Sequence, residues 1–442
     1  MEKLIISGGV PLKGKVTVSG AKNVAMKAIL AGLLTEEPLE IHNIPLISSV
    51  LGTIKIIEQL GASVLRRGHQ ITISAKNLQN HKIPLELGGL YRTSTMVMGP
   101  LLARFGKAIV PNPGGCRLGK RPVNWHTEAL VKMGAKITYT HGYFYAETKR
   151  LLGAHIRFEK NTHTGTESII LAAVLALGET VLENAAAEPE IDDLIRMLNQ
   201  MGAQIRRTHK RTIVINGVQK LHGTTYTIMP DRNEAVTFAA AAIATYGDVL
   251  VSGTQREHLL AFLKGLDDIG GGWEAIDQNT TRFYWKQPLR KSDIVTGAHP
   301  EFMTDWQQPW AVLATQAQGV STIHETVFEC RFSYVSELRK MGAKMEFYDP
   351  KVSNPQEYYN FNWNDRIQGY HQGIKIFGPT KLHEAILEMD DIRAGATLVV
   401  AALAASGRSV LTEVNHLDRG YEKLDERLKT LGAKTERVQE EL

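Results

Sequence analysis

The stretch Leu194-Ile195-Arg196-Met197-Leu198-Asn199-Gln200-Met201-Gly202-Ala203 decides the architecture. Leu194, Met197, Leu198 and Met201 recur at helical intervals, which gives an amphipathic helix one apolar face. Gly202 then ends that helix and turns the chain, a step that favours a residue without a side chain. The same ending returns as Leu60-Gly61-Ala62, Met133-Gly134-Ala135, Ile269-Gly270-Gly271, Met341-Gly342-Ala343 and Leu431-Gly432-Ala433. The first glycines of the six copies are spaced by 73, 68, 68, 72 and 90 residues. A strand-like segment usually follows, such as Lys136-Ile137-Thr138-Tyr139 or Lys344-Met345-Glu346-Phe347. Six copies of an α/β unit of roughly 70 residues account for the chain.

A second element keeps the same period. Segments apolar almost all round occur near residues 24–34, 95–103, 168–177, 235–243, 310–314 and 396–405. A helix without a polar face is buried on all sides. The natural packing is therefore helices inside and sheets outside, three repeats to a domain. The long last spacing has a visible source. Residues 349–372 are polar, aromatic and turn-rich, and read as a surface insertion of about twenty residues.

Composition narrows the function classes. A chain of 442 residues has room for two or three domains with real cores. A net charge of +5 is too mild for a nucleic-acid binder over this length and fits an enzyme with a cationic pocket. Two cysteines, Cys116 and Cys330, make no disulfide framework and suit a reducing cytoplasm. Gly8-Gly9 interrupts the N-terminal apolar run before a signal-peptide core forms. The apolar runs are too short to span a bilayer. No metal-ligand motif is present, so no metal or other cofactor is expected.

Chemistry-bearing residues sit at the starts of the apolar helices. They are Lys22-Asn23, Arg92-Thr93-Ser94, His163-Thr164-Gly165-Thr166, Asp231-Arg232-Asn233, Thr304-Asp305 and Asp391-Ile392-Arg393. Capping explains Ser, Thr, Asp and Asn there. It does not explain Lys22, Arg92, Arg232 and Arg393, because cations are disfavoured at the positive end of a helix. Helices presenting such ends to one cleft call for an anion. Arginine suits bidentate recognition of carboxylate or phosphate, and lysine suits phosphate. A polyanionic small molecule is the preferred reading, and surface ion pairs are the alternative.

One loop stands apart: Pro113-Gly114-Gly115-Cys116-Arg117-Leu118-Gly119-Lys120-Arg121-Pro122. Its glycines and prolines exclude regular structure, and its cations would lower the thiol pKa from about 8.5. From the residues alone it is either a lid over an anionic substrate or a surface hairpin.

The chain resembles the enolpyruvyl transferases over essentially its full length. The resemblance is carried by Ser19-Gly20-Ala21-Lys22-Asn23, Pro113-Gly114-Gly115-Cys116, Gly119-Lys120-Arg121-Pro122-Val123, Glu188-Pro189-Glu190 and Pro230-Asp231-Arg232. Further along it is carried by Thr304-Asp305, Glu325-Thr326-Val327-Phe328-Glu329 and Asn415-His416-Leu417-Asp418-Arg419-Gly420-Tyr421-Glu422. It implies a two-domain inside-out α/β barrel. Domain I would be residues 22–229, and domain II residues 230–442 completed by strand 1–21, with closure assembling the site.

The resemblance further implies that phosphoenolpyruvate and UDP-N-acetylglucosamine are the substrates; neither nucleic acid nor membrane is expected as a partner, and the residues leave the oligomeric state open, with a monomer favoured. The resemblance gives Cys116, Asp305 and Lys22 as catalytic residues, with Cys116 as proton donor on the lid and Asp305 as general base. Lys22, Asn23, Arg121, Arg331, Arg393 and Arg419 would bind phosphoenolpyruvate. Arg92, Arg121, Pro122, Val123, Asn124, Trp125, His163, Thr164, Gly165, Asp305 and Val327 would bind the sugar nucleotide. His126, His416 and Cys330 read as structural.

Two places depart from the family pattern: Asn124-Trp125 in place of a segment that begins with aspartate, and His163-Thr164-Gly165 in place of Ser-Val-Gly. An asparagine keeps hydrogen bonding but loses the charge. A different sugar-nucleotide acceptor, or a weakly catalytic UDP-sugar-binding paralogue, is the alternative reading.

Overall fold

All six signature glycines, Gly61, Gly134, Gly202, Gly270, Gly342 and Gly432, have φ between +90° and +102°. A side chain is strained in that region, so the glycine at each helix end is required by the backbone. The structure, a computed structural model, describes residues 2–113 and 123–439. Cys116, Arg121 and Pro122, with the rest of the expected lid, lie outside the described residues.

The repeat is visible in strand order. Leu39–His42, Gln70–Ser74 and Ser63–Arg67 lie side by side, each antiparallel to its neighbour, and Thr225–Thr227 runs parallel along the outer edge. Glu179–Ala185, Thr212–Asn216 and Gln204–His209 repeat the pattern with His155–Thr162 at the edge. Gly319–His324, Gly373–Gly378 and Lys344–Tyr348 repeat it with Asp293–Gly297. In the last copy Glu2–Ser7 takes the middle place, between Arg408–Thr412 and Lys434–Gln439.

Two compact units divide the chain. Residues 2–19 and 230–439 form one, and residues 20–113 and 123–229 the other. Each has its own apolar core. In the first, helices Arg232–Ala244, Gln307–Gln316 and Ile392–Ala404 touch one another pairwise. Every residue of Arg232–Ala244 is buried, as expected for a helix inside a ring of sheets. In the second, Lys22–Ala31, Met98–Phe105 and His163–Ala173 hold the corresponding places, and the last two pack together.

The expected helix over 95–103 is in fact two short ones, Thr93–Met96 and Met98–Phe105. Pro100 has no N–H to donate to Met96, so the ladder breaks there. Gly20 marks a close approach: a Cβ on it would lie 1.7 Å from the carbonyl oxygen of Asn43. The expected insertion hangs from a hairpin whose last pair is Tyr348 and Gly373. Three of its counterparts close with two residues, at 68–69, 141–142 and 210–211. No helix among the described residues is long and apolar enough to cross a membrane.

Candidate functional site

Each unit carries its own group of the predicted residues. In the unit of residues 2–19 and 230–439, Asp305 lies in the turn between the Phe302–Met303 strand and the Gln307–Gln316 helix. Its Oδ1 accepts from Arg331 Nη2 at 2.6 Å, and its Oδ2 accepts from Arg393 Nε at 3.1 Å. The arginine side chains are 3% and 8% exposed, against 24% for the aspartate. Guanidinium groups so far from water need an anion. Because one carboxylate already sits across both, a substrate carboxylate can compete for the same N–H groups.

Arg393 is fixed from several sides. Asp391 caps the Ile392–Ala404 helix, accepting from the N–H groups of Arg393 and Ala394 at 2.7 and 3.1 Å. Arg393 Nη1 donates to the Tyr421 hydroxyl at 2.9 Å, which shares a 2.8 Å hydrogen bond with Thr237. Burial opposes the Arg393 charge, but Tyr421, Asp305 and Asp231 outweigh it and push its pKa well above the usual value. Burial also raises the Tyr421 hydroxyl, so it stays protonated. Arg419, half-buried, follows the short Asn415–Asp418 helix and stands two residues before Tyr421.

Val327 and Arg331 come from one loop, and Glu325 shapes it. The fully buried Glu325 carboxylate accepts from Val327 N at 2.8 Å, Phe328 N at 3.0 Å and Thr304 Oγ1 at 2.8 Å. Burial raises its pKa, against the opposing pull of Arg331 and these donors. It thus ties Val327 to the residue beside Asp305. Thr326 pairs with Thr296 through both its N–H and its hydroxyl. Burial also raises the Cys330 thiol pKa, which fits a packed residue and not a nucleophile.

In the other unit, Lys22 and Asn23 open the Lys22–Ala31 helix, and Arg92 precedes Thr93–Met96. Val123 precedes the Asn124–Lys132 helix, where Asn124 is exposed and Trp125 packs on the core. His163, Thr164 and Gly165 open the His163–Ala173 helix, capped by Thr162, whose hydroxyl accepts from Gly165 N at 3.1 Å. These two helix starts meet: His126 Nε2 lies 3.2 Å from Thr164 Oγ1. The two helix starts that carry the departures from the family pattern therefore adjoin one another.

Two of the helix starts supply their own anion, contrary to the expectation from the sequence. Asp231 and Asp391 cap two of the helices that begin with a cation, so a carboxylate of the chain itself meets the positive end. Arg232 is 4% exposed, lies over the Trp306 ring and donates to His299 Nδ1 at 3.2 Å. Asp305 is not a cap, since Trp306 holds that place. His126, read as structural, is buried and bonds Thr164; the side-chain roles of Glu325 and Tyr421 were missed. Their partners are remote or lie in irregular loops, so no periodic signal announces them.

Among the described residues, no group of three or more His, Cys, Asp or Glu could hold a metal ion. The six repeats, with Arg331 and Arg393 paired on one aspartate, define a class. Residues 6–428 match the family model of EPSP synthase (3-phosphoshikimate 1-carboxyvinyltransferase), and the chain belongs to that enolpyruvyl transferase family. Within it, the chain is 42% identical to a UDP-N-acetylglucosamine 1-carboxyvinyltransferase from Koribacter versatilis, covering 100% of this chain and 97% of that protein. It is also 42% identical to one from Acidobacterium capsulatum, covering 99% and 96%. Among solved structures, the enolpyruvyl transferase NikO from Streptomyces tendae aligns with TM-score 0.87 and 23% identity, covering 100% of this chain and 99% of that one. EPSP synthase from Acinetobacter baumannii aligns with TM-score 0.73 and 20% identity, covering 99% and 100%. These likenesses bear out the inside-out fold.

Proposed function

We propose that this protein transfers the enolpyruvyl group of phosphoenolpyruvate to the 3′-hydroxyl of UDP-N-acetylglucosamine and releases phosphate, the first committed step of peptidoglycan synthesis. The full-length 42% identity to relatives of that name carries the reading.

In the addition step the methylene carbon gains a proton while the 3′-oxygen bonds to the neighbouring carbon and gives up its own proton. In the elimination step the new methyl group loses a proton and the carbon–oxygen bond to phosphate breaks. We assign Asp305 as base for the hydroxyl and Cys116 as proton donor. Arg331 and Arg393 take the substrate carboxylate. That anion displaces Asp305 from their N–H groups, and the freed carboxylate can accept the proton. Lys22, Asn23, Arg121 and Arg419 hold the rest of phosphoenolpyruvate. Arg92, Arg121 to Trp125, His163 to Gly165 and Val327 receive the sugar nucleotide. A cytoplasmic setting is supported by two cysteines short of a disulfide framework.

The test is phosphate release measured with each substrate alone and with both. Release is expected only with both, and Asp305→Ala abolishes it while the circular dichroism spectrum is unchanged. Release with a different sugar nucleotide but none with UDP-N-acetylglucosamine refutes the acceptor assignment.

A further inference from the structure

We infer that the 349–372 segment is a strut for the 325–331 loop, holding Val327 and Arg331 at the places where they meet substrate. This rests on the site reading above.

The sheet itself needs nothing from the segment. Its flanking strands, Lys344–Tyr348 and Gly373–Gly378, pair to their ends, and three sibling hairpins close with two residues. The segment has an aromatic core of its own. Tyr359 and Phe361 are 1% and 6% exposed, Tyr359 stacks on Trp363 at 4.6 Å, and Arg366 lies 3.6 Å over the Trp363 ring. A surface decoration would spend its outward polar groups on water.

These groups go instead to one loop. Gln372 accepts from Glu325 N through its carbonyl at 2.8 Å and donates from Nε2 to the Glu329 carbonyl at 2.9 Å. Asn360 N donates to the Thr326 carbonyl at 2.8 Å, and Ile367 N donates to Glu329 Oε2 at 3.2 Å. Tyr370 hydrogen-bonds Cys330, the neighbour of Arg331. The Tyr359 hydroxyl meets His324 Nε2 at 3.0 Å, just ahead of the loop. Val327 and Phe328 are held by Glu325, which is itself tied to Gln372. The loop is thus gripped from inside by Thr296 and Thr304 and from outside by the insertion. None of the insertion's residues is catalytic; Gln372 and Tyr359 are positioning residues.

The experiment replaces residues 349–372 with Asn-Gly, which recreates a two-residue hairpin turn. Gln372→Ala and Tyr359→Phe are made beside it. Hydrogen exchange of the 325–331 amides is measured with no substrate present, and kcat and KM are measured separately for both substrates. The strut requires faster exchange at 325–331 in the excised variant and in Gln372→Ala. It also requires kcat/KM to fall on the order of 10–100-fold, as for a misplaced substrate contact, with the sugar-nucleotide KM rising more than kcat falls. Unchanged exchange and kinetics in Gln372→Ala overturn it, also where the excised chain fails to fold. Arg331→Ala separates the two readings. Unaltered kinetics in that variant refute the site assignment, while the exchange result still decides the strut.

Discussion

Lys27 and Glu167 form an ion pair inside the unit of residues 20–113 and 123–229. Lys27 Nζ lies 2.9 Å from Glu167 Oε2, and the side chains are 2% and 0% exposed. Neither Glu167 oxygen meets a well-aligned hydrogen-bond donor among the described residues, so charge alone holds the pair. His163 Nε2 approaches the other oxygen only to 3.7 Å. Such a pair is costly to break and cheap to replace. Lys27→Met leaves a carboxylate buried without its partner, and Glu167→Leu leaves an ammonium. Each single change costs about 3–5 kcal/mol. In a unit of about 200 residues each kcal/mol moves Tm by about 2–4 °C, so a fall of roughly 6–20 °C follows. The double variant Lys27→Met/Glu167→Leu should match the parent or exceed it by about 1–4 kcal/mol. Calorimetry of all four proteins is the assay, with the two units' transitions resolved separately. A double variant that loses the sum of the single losses refutes the argument. So do single losses below about 1 kcal/mol, the value for a pair that reaches water.

Glu325→Ala orphans the N–H groups of Val327 and Phe328 and the Thr304 hydroxyl, at about 1–3 kcal/mol per buried group. Glu325→Gln keeps the oxygen that serves both N–H groups and should cost clearly less in urea denaturation; equal losses would refute this. Gly20→Ala drives a Cβ into the Asn43 carbonyl, 1.7 Å away, so its cost should reach or exceed the roughly 1–3 kcal/mol of ordinary overpacking. Parent-like yield and Tm for that variant would show that the backbone can yield there. Burial holds the His324 pKa below its usual value of about 6.5. Between the two values the unfolded chain binds more protons, so this contribution is complete above about pH 6.5 and is lost as pH falls toward the folded value. Tm should drop less over that window in His324→Gln, and parallel Tm–pH curves would count against the assignment.

The repeat was legible because each copy ends on a glycine that the backbone requires, as the positive φ at Gly61 through Gly432 attests. The break before Pro100 was hidden because its neighbours are apolar and satisfied a burial pattern, while the missing N–H acts four residues back. Asp305, Arg331 and Arg393 were named from motifs, but their ion-pair cluster could not be. It joins residues up to 88 positions apart through irregular turns. Lys27 lay within a run read as apolar almost all round, and its partner is 140 residues away. The bonds between residues 349–372 and 325–331 were equally silent, because most of them use backbone atoms, which carry no residue-specific signature.

Strand Glu2–Ser7 has a consequence for timing. Its two neighbours, Arg408–Thr412 and Lys434–Gln439, leave the ribosome about 400 residues later, so Leu4 and Ile6 cannot find their buried places until those strands have been made. Residues 20–113 and 123–229 are made before Arg408–Thr412 and can settle first, while Glu2–Ser7 waits for the most sequence-distant strand pairing among the described residues. The closing of this sheet is therefore ordered by synthesis: it follows the making of the strands that flank Glu2–Ser7.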